Sequence, residues 1–232
     1  MRKAALVFLL GVSLAASAGA AFALSPVVVE LFTSQGCSSC VKSGELVAAL
    51  DQRPRVLTLT FPVSYWDYLG WRDTLAKPEF DDRQRAYMHT LALRDVYTPQ
   101  VVVDGRLQVA AVDRDAVDKL VKTASRAASD PPELTLSKSR LAIGSGDAPP
   151  GGADVWLVRY LPGDQSVRVL TGSNRGQTIV EHNVVRELQR LGGWRGRPVR
   201  LRVPPSDDKA LKTVVIVQAA RSGRILAVGR SS

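Results

Sequence analysis

Apolar residues run from Val27 to Val29, break at Glu30 and resume at Leu31-Phe32, a short buried-strand pattern. A helix-like stretch follows, ending Leu46-Val47-Ala48-Ala49-Leu50, and Arg55 to Phe61 then alternates as a second strand. Pro78 to Leu93 resumes a helical period through Phe80, Ala86, Tyr87 and Leu91. Val101-Val102-Val103 and Leu107-Gln108-Val109 flank Asp104-Gly105, the signature of a hairpin. Asp113 is placed to cap a helix running to Ala128. The predicted order is β-α-β-insertion-α-β-β-α.

Asp130-Pro131-Pro132 predicts a boundary, because Pro-Pro cannot continue a helix and restricts the residue before it. Beyond it, short strands are expected at Glu133 to Ile143, Asp154 to Leu161, Ser166 to Thr171, Pro198 to Val203, Lys212 to Ala220 and Arg224 to Val228. Turn signals such as Pro162-Gly163-Asp164 separate them. Ile179 to Leu191 suits a helix as well as a bent strand and is read as a strand. The expected organisation is a signal segment over 1–23, a first domain over 24–129 and an all-β, sandwich-like domain over 133–232.

Composition sharpens this picture at the N-terminus. Arg2 and Lys3 precede an apolar stretch from Ala4 to about Leu14 and small residues ending Ala21-Phe22-Ala23, the layout of a cleaved secretory signal. That stretch is shorter than the roughly 20 apolar residues a membrane span needs. A periplasmic or secreted protein, not transmembrane after cleavage, is therefore expected. The formal charge of +9 reads as a solvated basic surface, since no clustered basic stripe argues for nucleic acid.

Two cysteines stand in the whole chain, Cys37 and Cys40, spaced C-x-x-C between the first strand and the first helix. A thiolate is the nucleophile of disulfide exchange, and the unpaired N–H groups of a helix start favour that anion. Cys37 is placed to attack and Cys40, one turn inside the helix, to resolve. So small a loop gains little as a structural cross-link, and four donors for a zinc site are lacking. After the second strand, Phe61, Tyr65, Trp66, Tyr68 and Trp71 crowd one segment broken by Pro62 and Gly70. Two readings stand for it: a substrate platform formed by Trp66 and Trp71, or core between domains.

The order of elements is that of a thioredoxin fold with an insertion before its second helix. Val29 to Cys40, Tyr65 to Trp71, Arg83 to Tyr87, Tyr97 to Gly105 and His182 to Arg186 resemble a secreted thioredoxin-like family, domain-of-unknown-function family 1223. Val41-Lys42 stands where that family commonly carries Pro-Pro, and loss of a φ-fixing proline loosens the helix start. The resemblance implies a thioredoxin-like α/β domain followed by a β-rich one, with Thr98-Pro99 as a cis-proline loop facing the thiols and pairing with an extended substrate. It also implies a buried acid beneath the resolving thiol. Glu30 is the candidate, against the alternative that it faces solvent from an edge strand.

The expected function is thiol–disulfide exchange with exported protein thiols or disulfides, reset by a redox partner protein and needing no dissociable cofactor. A non-catalytic binding module and a copper-handling thiol protein are the rival readings.

Overall fold

All seven residues of Val27–Thr33 (β1) are buried, as an apolar run with strands on both sides requires. The computed structural model describes residues 25–125 and 131–230. The expected signal segment, 1–23, lies outside the described residues. β1 pairs in parallel with Val56–Pro62 (β2) and antiparallel with Gln100–Val103 (β3), and β3 continues to Leu107–Ala110 (β4). The hairpin turn passes through Asp104 and Gly105, both at positive φ. A side chain at Gly105 would strike the Gly223 carbonyl, so only glycine fits there.

Three helices cover this part of the sheet: Ser43–Asp51 (α1), Pro78–Thr90 (α2) and Arg114–Ser125 (α3). Strand alternation decides which face each one meets. Val27, Val29 and Leu31 pack with Leu46, Val47 and Leu50 of α1 and Val117 and Val121 of α3. Val28 and Phe32 pack with Phe80 and Tyr87 of α2 on the other face. Asp113 caps α3 by accepting from the Ala116 N–H at 2.9 Å.

The expected division into a thioredoxin-like domain and a separate all-β domain is overturned by the sheet itself. Ala153–Arg168 (β7) and Thr178–Trp194 (β8) form a long hairpin, and β8 joins β2 in parallel at Thr60 and Val184. Lys212–Ala219 (β10) and Ile225–Arg230 (β11) extend the same sheet, giving one eight-stranded mixed sheet of order β11-β10-β7-β8-β2-β1-β3-β4. Leu134–Leu136 (β5), Arg140–Ile143 (β6) and Val199–Arg202 (β9) make a small second sheet. Leu141, Ile143 and Val203 share a core there with Val155, Leu157 and Val215 of the large sheet. Alternation along a segment reveals a strand but not its neighbour, and here the free edge of β2 recruits β8.

Two local expectations change for the same reason. Pro162-Gly163-Asp164, read as a turn, lies inside β7 as an irregularity, where the Gly163 N–H donates to Asn183 Oδ1 at 3.0 Å. Ile179 to Leu191 is strand, within β8. Asn183, at positive φ, also donates to Thr58 Oγ1 at 3.0 Å, and Thr60 Oγ1 donates to the His182 carbonyl at 2.5 Å. Asp130 lies outside the described residues; Pro131 and Pro132 lead into β5. Among the described residues no helix is long and apolar enough to cross a membrane.

Glu30 is fully buried, at 0 % exposure, so the solvent-facing alternative falls. It also points away from the helix that follows the cysteines, because alternation puts it on the α2 face with Val28 and Phe32. There Arg83 Nε donates to Glu30 Oε1 at 2.7 Å, and the Tyr87 hydroxyl donates to Oε2. Arg83 is buried beside the rings of Phe61, Tyr87 and Trp156. Gln218 of β10 closes the network, donating to Tyr87 Oη at 2.9 Å. Glu30 is thus a structural ion-pair partner and not an acid beneath Cys40.

Arg83→Met strands a buried carboxylate and is expected to cost about 3–5 kcal/mol in denaturant unfolding, whereas Glu30→Leu with Arg83→Met recovers most of that loss.

Candidate functional site

β1 ends at Thr33, and the chain turns through Ser34 to Gly36 before a single 3-10 turn over Ser38–Cys40. The Cys37 N–H donates to the Ser34 carbonyl at 3.1 Å, and the Cys40 N–H to the Cys37 carbonyl at 3.1 Å. α1 begins only at Ser43, so Cys40 lies ahead of the α-helix and not one turn inside it. The start shifts because Ser43 Oγ donates back to the Cys40 carbonyl at 2.7 Å, where a helix would place a backbone bond.

Cys37 and Cys40 form a disulfide with a Cα–Cα separation of 5.4 Å. Cys37 keeps 5 % of its surface and Cys40 1 %, while Ser38 and Ser39 between them are exposed. Ser39 Oγ lies 3.2 Å from Cys37 Sγ, a hydroxyl placed to donate to sulfur. The Thr98 carbonyl oxygen is 3.7 Å from the same sulfur, and the Thr98–Pro99 peptide is cis. The structure therefore brings Thr98 and Pro99 to the cysteines.

The aromatic segment joins this assembly from the side. Trp66 Nε1 donates to Thr98 Oγ1 at 2.7 Å, and Trp71 Nε1 to Gln35 Oε1 at 2.9 Å. Both indoles are half-buried, and each holds one wall of the disulfide loop.

Beneath the loop lie residues that pattern reading did not single out. Asp73 Oδ2 accepts from the Gln35 N–H at 2.8 Å, and its other oxygen accepts from the N–H groups of Leu75 and Ala76. Asn174, buried at the tip of the β7–β8 hairpin, donates through Nδ2 to the Gln35 carbonyl at 2.9 Å and the Cys37 carbonyl at 3.0 Å. Thr171 of the same tip donates to the Gly70 carbonyl at 2.6 Å. The first half of β8 runs along α1 to get there: His182 reaches Asp51 at the helix end, and Val180 abuts Gly44 near its start. A side chain at Gly44 would sit 1.9 Å from the Val180 carbonyl oxygen, so glycine permits the contact. Ser173-Asn174-Arg175-Gly176 signals a turn in sequence; nothing local says where the turn docks.

Glu181, next to Val180, is buried with no hydrogen-bond partner on either oxygen. Burial pushes its carboxyl well above the ordinary range, the nearby Asp73 charge pushes it further, and Arg186 opposes both. Burial also raises Asp73, against the N–H bonds it accepts from Gln35, Leu75 and Ala76.

Residues 28–218 match the family model described as protein of unknown function (DUF1223). The chain belongs to this family. An X-ray crystal structure of an Agrobacterium tumefaciens protein is similar, at 31 % identity over 88 % of this chain and 93 % of that one, with a TM-score of 0.72. HBP35 of Porphyromonas gingivalis is similar in fold, at 13 % identity over 88 % of this chain and 74 % of its own, with a TM-score of 0.58. No curated protein matches the chain. For this DUF1223 member, the segments that carried the resemblance divide by role. Val29 to Cys40 and Tyr97 to Gly105 build the disulfide site, whereas Arg83 to Tyr87 and His182 to Arg186 tie the sheet and α2 together.

Asn174→Ala removes the donor to the Gln35 carbonyl and one of two donors to the Cys37 carbonyl; a loss of about 1–3 kcal/mol is expected in denaturant unfolding. Glu181 holds its proton to higher pH folded than unfolded. The folded state is therefore favoured below the unfolded pKa, and that contribution is lost as pH rises through the folded one. Glu181→Gln should abolish this decline, so the variant gains thermal stability over the wild type as pH is raised from about 4 to about 8.

Proposed function

We propose that this DUF1223 protein is an exported thiol–disulfide oxidoreductase, with Cys37 as the attacking sulfur and Cys40 as the resolving one. The observation that carries the reading is the placing of Cys37 Sγ beside both Ser39 Oγ and the backbone of the cis Thr98–Pro99 loop. A hydroxyl donor favours the thiolate over the thiol. The loop offers backbone to an extended chain.

In the reducing direction the Cys37 thiolate attacks one sulfur of a substrate disulfide, and the other substrate sulfur leaves as a thiolate. The Cys40 thiolate then displaces the bound sulfur, leaving a substrate dithiol and the Cys37–Cys40 disulfide. In the oxidising direction the same steps run backward. Two electrons move each way, with a partner protein as the other couple. Export to the periplasm or medium, directed by residues 1–23, supplies a compartment where such pairs cycle.

Equilibration with mixtures of reduced and oxidised glutathione tests the reading. A single two-electron transition in thiol titre is expected, and a disulfide that stays closed across the series overturns it. Cys40→Ser is expected to accumulate mixed disulfides with exported proteins, and Cys37→Ser to trap few, since Cys40 is the more recessed. Equal trapping by both would show that the sulfurs do not divide the work as assigned.

A further inference from the structure

A hydroxyl has one proton to donate, and Ser39 Oγ has two acceptors within reach: Cys37 Sγ at 3.2 Å and the Thr98 carbonyl oxygen at 3.4 Å. The same carbonyl oxygen lies 3.7 Å from Cys37 Sγ, so the three atoms close a triangle at the attacking sulfur. Each side of that triangle is a direct contact. Ser38, the other residue between the cysteines, makes no hydrogen bond to either sulfur among the described residues.

The state of the sulfur decides where the Ser39 proton goes. A disulfide sulfur is uncharged and a weak acceptor, so in the disulfide Ser39 donates to the Thr98 carbonyl. A Cys37 thiol has a proton of its own to offer that carbonyl, and such a bond favours the un-ionised form. A Cys37 thiolate is an anion, and a charge-assisted hydrogen bond is about twice as strong as a neutral one. The Ser39 hydroxyl then turns to the sulfur, and the Thr98 carbonyl is left without either donor.

We propose that Ser39 is a catalytic residue of this site, a one-proton switch that caps the Thr98 carbonyl in the disulfide and turns to the Cys37 thiolate in the dithiol, setting how much of that sulfur is ionised. This rests on the exchange reading for its chemistry. Ionisation governs the rate because the thiolate is the attacking form, and a bond made to the thiolate alone also stabilises the reduced pair against the disulfide. The carbonyl is an open acceptor only while the sulfur beside it is ready to attack, and Ser39 covers it again once the disulfide has re-formed. The titratable groups bordering the loop are Lys42, Glu45 and Arg114 along the cleft that Ser39 lines, Tyr65 near Thr98, and the buried Asp73 and Glu181. None of them hydrogen-bonds to Cys37 Sγ, so a change at Ser39 leaves all six in place and subtracts one contact.

The test reads ionisation apart from exchange. The full chain carrying Cys40→Ala, so that one thiol reports and no new hydroxyl is added, is reduced with excess phosphine, and its rate of alkylation by iodoacetamide is followed against pH. Ser39→Ala in that background should raise the midpoint by about one pH unit, a thiolate fraction about tenfold smaller below the midpoint. Ser39→Thr, which keeps the hydroxyl, should restore most of the loss, and Ser38→Ala should leave the midpoint where it was. In the chain with both cysteines, the nuclear magnetic resonance shift of the Thr98 carbonyl carbon should change between the disulfide and the ionised dithiol, and Ser39→Ala should remove most of that change. Ser39 is exposed, and thermal melts check that its substitution leaves the fold intact. An unmoved midpoint in Ser39→Ala, an equal rise in Ser38→Ala, or a Thr98 change that survives in Ser39→Ala overturns the switch. Phosphine reduction needs no exchange with a partner thiol, which separates the two failures. A pair that equilibrates with glutathione while Ser39→Ala keeps its midpoint loses the switch alone; a pair that stays closed to glutathione while the midpoint rises loses the oxidoreductase reading alone.

Discussion

A carboxylate in the middle of a fully buried strand must find a cation, and the packing around Glu30 is arranged to supply one. Arg83 arrives from α2, Tyr87 from the next turn of the same helix, and Gln218 from β10, near the opposite edge of the sheet. Removing two charges from water costs several kcal/mol per ion unless geometry and added hydrogen bonds return it. Those bonds come from both halves of the chain, so the pair closes fully only when β10 is in place. The network therefore ties α2, β1 and the late strands into one cooperative unit and leaves the opposite face of β1 to α1 and α3.

The long β7–β8 hairpin joins the halves a second time, at the disulfide end. Its base extends the sheet beside β2, and its distal part leaves that pairing at Asn183 to follow α1 toward Cys37. Asn174 then donates to the Gln35 carbonyl and adds a second donor to the Cys37 carbonyl, which also accepts from the Cys40 N–H. The disulfide loop is thus held from below by Asp73 and Asn174 and from the side by Trp66 and Trp71. On the proposed exchange reading, a reacting sulfur gains from such rigidity, because positioning is costly to achieve at the moment of attack.

Two acids, Asp73 and Glu181, are buried beside the disulfide loop and the start of α1. Burial without a hydrogen-bond partner pushes the Glu181 carboxyl well above the usual range, and the Asp73 charge adds to the shift.

Local pattern was enough to place most individual elements. The runs at Val27, Arg55 and Val101 are strands because apolar and β-branched residues fill them, and Asp113 caps a helix because its carboxylate meets a free N–H two turns' worth of pattern could foresee. The C-x-x-C spacing itself dictates that two sulfurs can meet. Partnership was decided only in three dimensions. Nothing within 153–194 says that β8 continues the sheet beside β2 instead of closing a separate sandwich, since a strand's edge groups accept any complementary edge. Glu30 looked like an acid for the thiols by its distance along the chain, but the two-residue alternation of β1 turns it to the far face, where Arg83 waits. Asn174 and Glu181 carry no local signature of the site, because they reach it from more than a hundred residues away. The role of Asn174 follows from which backbone groups the folded chain leaves short of a donor, and the raised carboxyl of Glu181 from its burial, properties that exist only once the chain has folded.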